Sequence, residues 1–385
     1  MPTENDGAPG QPAEKAPRQE GPIRFAVVGQ GYFAQSAILP AFDEAPDCEL
    51  VALFSDDTTK LDVLKAKYDV PHALGYEQYD EFLRSGAVDA VYIALPNDKH
   101  CDFTVRAAAA GIHVLCEKPM AVTSQECERM IAACTQANVK LMVAYRLHFD
   151  EGNLAAVDLV QEGKLGQARF FTSAFSQQVT EQNTRTQAAQ GDGPLYDVGI
   201  YCINAIRYLF RAEPTHVTAF ATRRPDDERF REIDEQVAAT LVFEDSRLAS
   251  FVCSFGAVST GWFEVVGTEG RLRVDPAYTN VAPVRHELTV GEKTKTKKFK
   301  RRDQVAGELQ YFANCVLTGQ SPEPSGEEGL ADLRIIEAIT EAARTGARVP
   351  VQAVERDVRP SSEQVEKRPA HGKAPLVNVQ PPSRH

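Results

Sequence analysis

The chain has 385 residues, enough at roughly 150 per domain for two or three domains and for a hydrophobic core that needs no disulfide or metal staple. Its 42 Lys and Arg stand against 54 Asp and Glu, and the formal net charge of -12 argues against nucleic acid or an anionic membrane as a general partner. No run reaches the ~20 apolar residues of a membrane span. The eight Cys lack a C-x-x-C pair or zinc-ligand spacing and read as reduced thiols of a cytoplasmic protein without structural metal.

Residues 1–22 are polar and rich in Pro, Gly and Glu, which predicts a flexible arm without the apolar core of a secretory signal. Over 23–145 short apolar runs alternate with helical patterns. Strands are expected at 23–29, 49–54, 88–95, 113–116 and 140–144, and helices at 32–42, 58–68, 103–110 and 124–137. This α/β alternation needs crossover helices, hence a doubly wound parallel sheet. Near-continuous apolar runs such as Phe25-Ala26-Val27-Val28 suit strands buried on both faces.

The pattern changes over 146–350. Helices are expected at 153–162 and 196–210, and strands at 169–175, 217–222, 236–243, 248–255, 263–267 and 271–274, with a hairpin turn at Glu244-Asp245-Ser246. Consecutive strands predict an α+β domain with a largely antiparallel open sheet, whose bare face would be covered in a homo-oligomer, a dimer or tetramer. Two helices close it, the last opening on Ser325-Gly326-Glu327-Glu328, a capping-box pattern, and stopping at Gly346. The Lys-rich run 293–302 alternates with Thr and reads as a solvated edge strand rather than a nucleic-acid patch. Residues 351–385 form a Pro-rich tail with little apolar surface to offset ordering entropy.

Gly29-Gln30-Gly31-Tyr32-Phe33-Ala34 is G-x-G-x-x-A placed directly after the first strand and opening a helix. Gly29 permits the tight turn, Gly31 lets backbone approach a pyrophosphate, and Ala34 allows close helix-strand contact, so the first domain reads as a dinucleotide-binding Rossmann domain. An NAD enzyme usually carries Asp or Glu at the end of the second strand. Here Phe54 is followed by Ser55, with Lys60 five residues later, a hydroxyl and an ammonium that suit the 2'-phosphate of NADP. Asp56 and Asp57 cut against this unless they face away, so NAD stays open.

Cys116-Glu117-Lys118-Pro119 follows a strand at the C-terminal edge of the sheet, where open α/β folds bind ligands. With Ala90-Val91-Tyr92-Ile93-Ala94-Leu95-Pro96-Asn97, Leu195-Tyr196-Asp197-Val198-Gly199-Ile200-Tyr201 and Pro324-Ser325-Gly326-Glu327-Glu328-Gly329, it resembles the Gfo/Idh/MocA oxidoreductase family, most closely its glucose-fructose oxidoreductase branch. The resemblance spans roughly residues 23–349 and leaves both tails outside. It implies an NADP-dependent sugar oxidoreductase in which Lys118, Asp197 and Tyr201 meet at the nicotinamide. It also implies that Tyr76, Leu95, Pro96, Asn97, His100, Glu117 and Arg146 lie against the dinucleotide.

Asp197 and Tyr201 are four residues apart on an expected helix, so they share a face. A phenol, with an ordinary pKa near 10, becomes a useful base only beside a cation, for which Lys118 is the candidate. His100 reads as a helix-start residue rather than a catalyst, while Tyr76 reads equally as a surface tyrosine and Arg146 as the partner of a structural carboxylate. Two further readings stay open. One is an NAD(P)-dependent aldose or dihydrodiol dehydrogenase that exchanges its cofactor; the other is a dinucleotide-binding sensor without catalysis.

Overall fold

The structure, a computed structural model, describes residues 21–180, 183–186, 193–356, 358–372 and 374–384. The expected N-terminal arm, apart from Gly21 and Pro22, lies outside the described residues.

Six strands form the first sheet: β1 Ile23–Val28, β2 Cys48–Phe54, β3 His72–Leu74, β4 Ala90–Ile93, β5 His113–Glu117 and β6 Leu141–Ala144. Their order is 3-2-1-4-5-6 and every pair is parallel, the doubly wound arrangement expected. The expected strands and helices of this half are present. Two further elements join them, β3 and the helix Tyr79–Arg84. The helix Gln304–Thr318 returns from late in the chain to cover this sheet, with Val305, Leu309 and Phe312 packed among Phe25, Val27 and Ile38.

The second sheet takes β7 Ala168–Ser176, β9 His216–Thr222, β10 Gln236–Val242, β11 Leu248–Ser254, β12 Thr260–Gly267, β13 Gly270–Val274, β14 Arg285–Val290, β15 Lys293–Lys298 and β16 Val349–Pro350. The order is 15-14-13-12-7-11-10-9-16. All neighbours are antiparallel except β7 and β11. Helices Ile200–Phe210 and Gly326–Thr345 cover one face, and the period-2 alternation puts Phe171, Val217, Leu241 and Phe251 beneath them. Among the described residues the other face is bare: Phe220 is 76% exposed, with Phe170, Leu248 and Val252 exposed on the same face. Lys-rich β15 forms the outer edge, fully exposed, as its alternation predicts.

The capping box expected at Ser325 does not form. Ser325 Oγ donates to Glu327 Oε2 at 2.7 Å, while Glu328 turns inward and is buried against Arg207. An ion pair in the core competes better for that carboxylate than a backbone N–H at the surface does.

The C-terminal tail departs most from its composition. It is ordered by ion pairs together with a few valines, Val351, Val354, Val365 and Val377, that pack on the two cores. Arg356 pairs with Glu323 and Glu328, and Arg359 with Glu213 at 2.8 Å, so the tail supplies cations to carboxylates already buried in the body. Farther on it returns across the first domain, and β17 Ser383–Arg384 pairs with the two-residue β8 Gln178–Val179.

Candidate active site

The dinucleotide turn lies between β1 and the helix that begins with a wide turn at Ala34–Ile38. Gly29 has φ +97°, and a Cβ there would stand 2.5 Å from the Ala94 carbonyl oxygen. Only glycine lets β1 turn this close to the end of β4. At Gly31 an added Cβ would meet open space, so the backbone there is accessible to a pyrophosphate. Ala34 is buried, Tyr32 and Phe33 are half-buried, and Leu95 packs on Gly29. The residues present fit a dinucleotide.

Beyond the end of β2, Ser55 Oγ accepts from Asp57 N at 3.2 Å. Asp57 caps the helix Thr58–Tyr68, accepting from Lys60 N at 2.9 Å, with Lys60 Nζ 3.8 Å from its second oxygen. Its carboxylate is therefore held by a helix end and an ammonium, which removes much of the objection it raised to a phosphate nearby. Tyr76 is half-buried with its edge on Phe103, and burial pushes its pKa up to about 12.

His100 does not turn toward the cleft. It is fully buried, and its ring nitrogens face the Leu95 and Pro119 carbonyls at 2.8 and 2.9 Å, so it ties the Leu95-Pro96-Asn97 loop to the Lys118-Pro119 turn. Burial lowers its pKa despite those carbonyls. Among the described residues Arg146 has no carboxylate partner in its hydrogen bonds. It donates to Gln304 Oε1 and to the Tyr278 carbonyl, with its guanidinium 5.0 Å from the Tyr201 ring centre.

Lys118 stands just past β5, its bond to Pro119 cis. Its Nζ donates to the carbonyl oxygen of Asp197 at 2.8 Å and to Asp197 Oδ1 at 3.1 Å, and lies 4.7 Å from the Tyr201 ring centre. Asp197 sits in a wide π-helical turn, Leu195–Gly199, rather than the regular helix expected from 196. Such turns expose carbonyls a regular helix would occupy. Burial works against the Lys118 ammonium, but Tyr201 and Asp197 outweigh it and hold the pKa above its usual value. Burial likewise works against the Asp197 carboxylate, yet Arg185 and Lys118 bring its pKa below normal. Gln177 and Arg185 reach its second oxygen at 3.0 and 3.3 Å. Residues 181–182 and 187–192, in the loop that carries Arg185, lie outside the described residues.

Behind Lys118 is an arrangement the sequence did not disclose. Glu117 Oε2 accepts from Lys118 N at 3.2 Å, and the Tyr92 hydroxyl stands 2.9 Å from Glu117 Oε1 and 3.0 Å from Glu308 Oε1. Burial raises the Glu308 carboxyl well above its normal range, and the charge of Glu117 adds to this. Tyr92 hides within an apolar strand and Glu308 within an apolar helix. The available signal was one polar residue in each of two otherwise buried runs.

A parallel sheet with its glycine turn, and a lysine, a carboxylate and a phenol gathered beyond its C-terminal edge, define a dinucleotide-dependent oxidoreductase. Two family models match the chain: the oxidoreductase family with NAD-binding Rossmann fold over residues 23–145, and the GFO/IDH/MocA C-terminal domain over residues 153–273. An NADP(+) D-xylose 1-dehydrogenase of Haloarcula marismortui is 34% identical over 342 residues, 86% of this chain and 93% of that one. The aldose-aldose oxidoreductase of Caulobacter crescentus, solved with glycerol, superposes with a TM-score of 0.83 at 36% identity, covering 86% of this chain and 100% of that one. A 3-ketoreductase of Actinomadura kijaniata, solved with NADP and TDP-benzene, does so at 0.77 and 26%, covering 84% and 98%. The chain belongs to the Gfo/Idh/MocA family, the family its motifs resemble.

Proposed function

We propose that the protein is an NADP-dependent sugar oxidoreductase that moves a hydride between an aldose carbon and the nicotinamide. The observation that carries this reading is the Lys118 ammonium, fixed on Asp197 and 4.7 Å from the Tyr201 ring at the ligand edge of the sheet. When bound, the nicotinamide takes up or returns the hydride. Tyr201 takes the proton of the sugar hydroxyl as its carbon is oxidised and returns it when a carbonyl is reduced. Lys118 remains protonated. Two of its three N–H donors are engaged by Asp197, which leaves one for the substrate oxygen. Glu117 and Tyr92 fix the backbone from which Lys118 projects.

Ser55 and Lys60 support NADP over NAD, and the NADP(+) specificity named for the haloarchaeal relative points the same way. The bare face around Phe220 supports a homo-oligomer, a dimer or tetramer, packed through the second sheet. The eight cysteines are all free and buried, which fits a reducing cytoplasm.

One experiment tests this reading. Native mass spectrometry of the freshly purified protein gives the subunit number and the mass of any bound nucleotide. A parallel sample titrated with aldoses while nicotinamide fluorescence is followed reports reduction. NADP reduced by an aldose is the expected result. NAD instead would remove the roles given to Ser55 and Lys60, and a nucleotide that no sugar reduces would make the protein a sensor.

A further inference from the structure

The C-terminal tail packs Val377 on the first domain's core and adds polar contacts around the dinucleotide turn. Val377 exchanges two hydrogen bonds with the side chain of Gln35: Val377 N donates to Oε1 at 2.7 Å, and Gln35 Nε2 donates to Val377 O at 2.9 Å. The same Nε2 donates to the carbonyl oxygen of Gln30, inside the glycine turn. One residue later Asn378 Nδ2 donates to Asp57 Oδ2 at 3.2 Å, beside Ser55 and Lys60. The tail next makes contact at Pro382, whose carbonyl accepts from Thr180 N and Asn183 Nδ2, and then at β17, which pairs with β8. Gln177, which precedes β8, is the residue bonded to Asp197.

These contacts fix a path. Asn378 is anchored beside the expected 2'-phosphate position, and Pro382 on the second domain's lip, next to the catalytic carboxylate. Four residues span at most ~14 Å of extended chain, so the two anchors lie no farther apart than that and residues 379–381 bridge them. A nucleotide lying from Ser55 past Gly31 to Lys118 runs beneath that bridge.

We infer that residues 374–384 form the outer wall of the dinucleotide site and retain the nucleotide through turnover. This rests on the reading of the site as an NADP site. A retained nucleotide imposes one order of events. One aldose gives up hydride and proton and leaves oxidised; a second sugar, entering as its carbonyl form, receives both. No free nucleotide is consumed. The clasp must open for loading. Its weakest part is its end, where a two-residue strand pair has little local stability.

The test compares the full chain with a chain ending at Ala370, which keeps the ion pairs of Arg356 and Arg359. Both are loaded with NADPH and diluted into excess NADP+ while nicotinamide fluorescence reports dissociation. The shortened chain is expected to release nucleotide at least tenfold faster and to emerge empty from gel filtration, whereas the full chain keeps its nucleotide. Two substitutions in the full chain, Val377→Pro, which removes the donor to Gln35, and Asn378→Asp, which sets a second carboxylate against Asp57, should speed release in the same direction by a smaller factor. Equal dissociation rates in all four proteins overturn the clasp. A full chain that binds no NADPH at all overturns the NADP reading instead.

Discussion

The helix Ile200–Phe210 carries a cluster of charge at each end, and the two behave differently. At its head Lys118, Asp197 and Arg185 meet beside Tyr201. Toward its far end Arg207 holds Glu213 by two bonds of 2.6 and 2.8 Å, and reaches Glu328 at 2.6 Å and Asp332 at 2.7 Å. Judged by distance and charge alone, the Arg207 cluster is the stronger candidate for an active site, since it is tighter and contains more ionisable groups. Access separates them. The Lys118 and Asp197 side chains keep 11% and 12% of their surface, whereas Arg207, Glu328 and Asp332 at the centre of the other cluster keep 0%, 1% and 0%, with Glu213 at its rim keeping 11%. A sealed cluster perturbs pKa values as strongly as a catalytic one but meets no substrate. Opening to a cleft, beside a group able to move a proton, marks the head of the helix as the site.

Substitutions at the two ends should therefore fail in opposite ways. Lys118→Met should lower kcat by about 10²–10⁴-fold while nucleotide binding and Tm stay near those of the parent. Asp197 is not left unpaired by this change, because Gln177 and Arg185 remain on it. Steady-state kinetics, nucleotide titration and a thermal melt decide the matter; retained activity would take Lys118 out of the mechanism. Arg207→Met should cost about 3–5 kcal/mol of stability, since it strips buried carboxylates of their main partner, and leave kcat per folded molecule unchanged.

The sealed cluster also carries a pH signature. Burial works against the Glu328 carboxylate, but Arg207 and Arg356 hold its pKa down to about 2. Its contribution to stability is thus full above its unfolded value near 4.5 and is lost as pH falls toward the folded one. Asp332 in the same cluster acts oppositely, because burial raises its carboxyl to about 6 despite Arg207. It gains stability as pH falls from there to its unfolded value near 3.8. The loss from Glu328 should therefore show in urea unfolding only below about pH 4, with less of it in Arg207→Met.

The same contrast explains what could be read from sequence. The Rossmann half was legible because its strands are continuous apolar runs and its turn needs glycine. The head of the helix was legible because Lys118, Asp197 and Tyr201 sit in short motifs. Three-residue β3 gave no period to detect. Glu328 sat at the right offset for a capping box, and local spacing could not reveal a buried arginine 121 residues earlier in the chain. The tail's composition predicted disorder because composition counts apolar surface, whereas Arg356 and Arg359 act on carboxylates whose burial only the fold creates.

Glu308 provides the smallest and sharpest test, because it lies close behind the open cluster and is as buried as the sealed one. The Tyr92 hydroxyl has one proton and faces two carboxylates, so it can donate to only one of them at a time. Burial raises both carboxyls, and Glu308, raised well above its normal range with Glu117 adding to the effect, is the one expected to keep a proton of its own. A raised folded pKa means the folded state holds a proton that the unfolded chain releases. Below about pH 4.5 the effect vanishes. Above it stability falls with pH by up to about 1.4 kcal/mol per unit until the folded value is passed. Gln cannot titrate, so Glu308→Gln should match the parent near pH 4.5, exceed its stability at pH 8, and change kcat little. Unfolding curves at the two pH values measure this. Parallel behaviour of the two proteins would mean that Glu308 is ionised and that the proton beside Lys118 resides on Glu117.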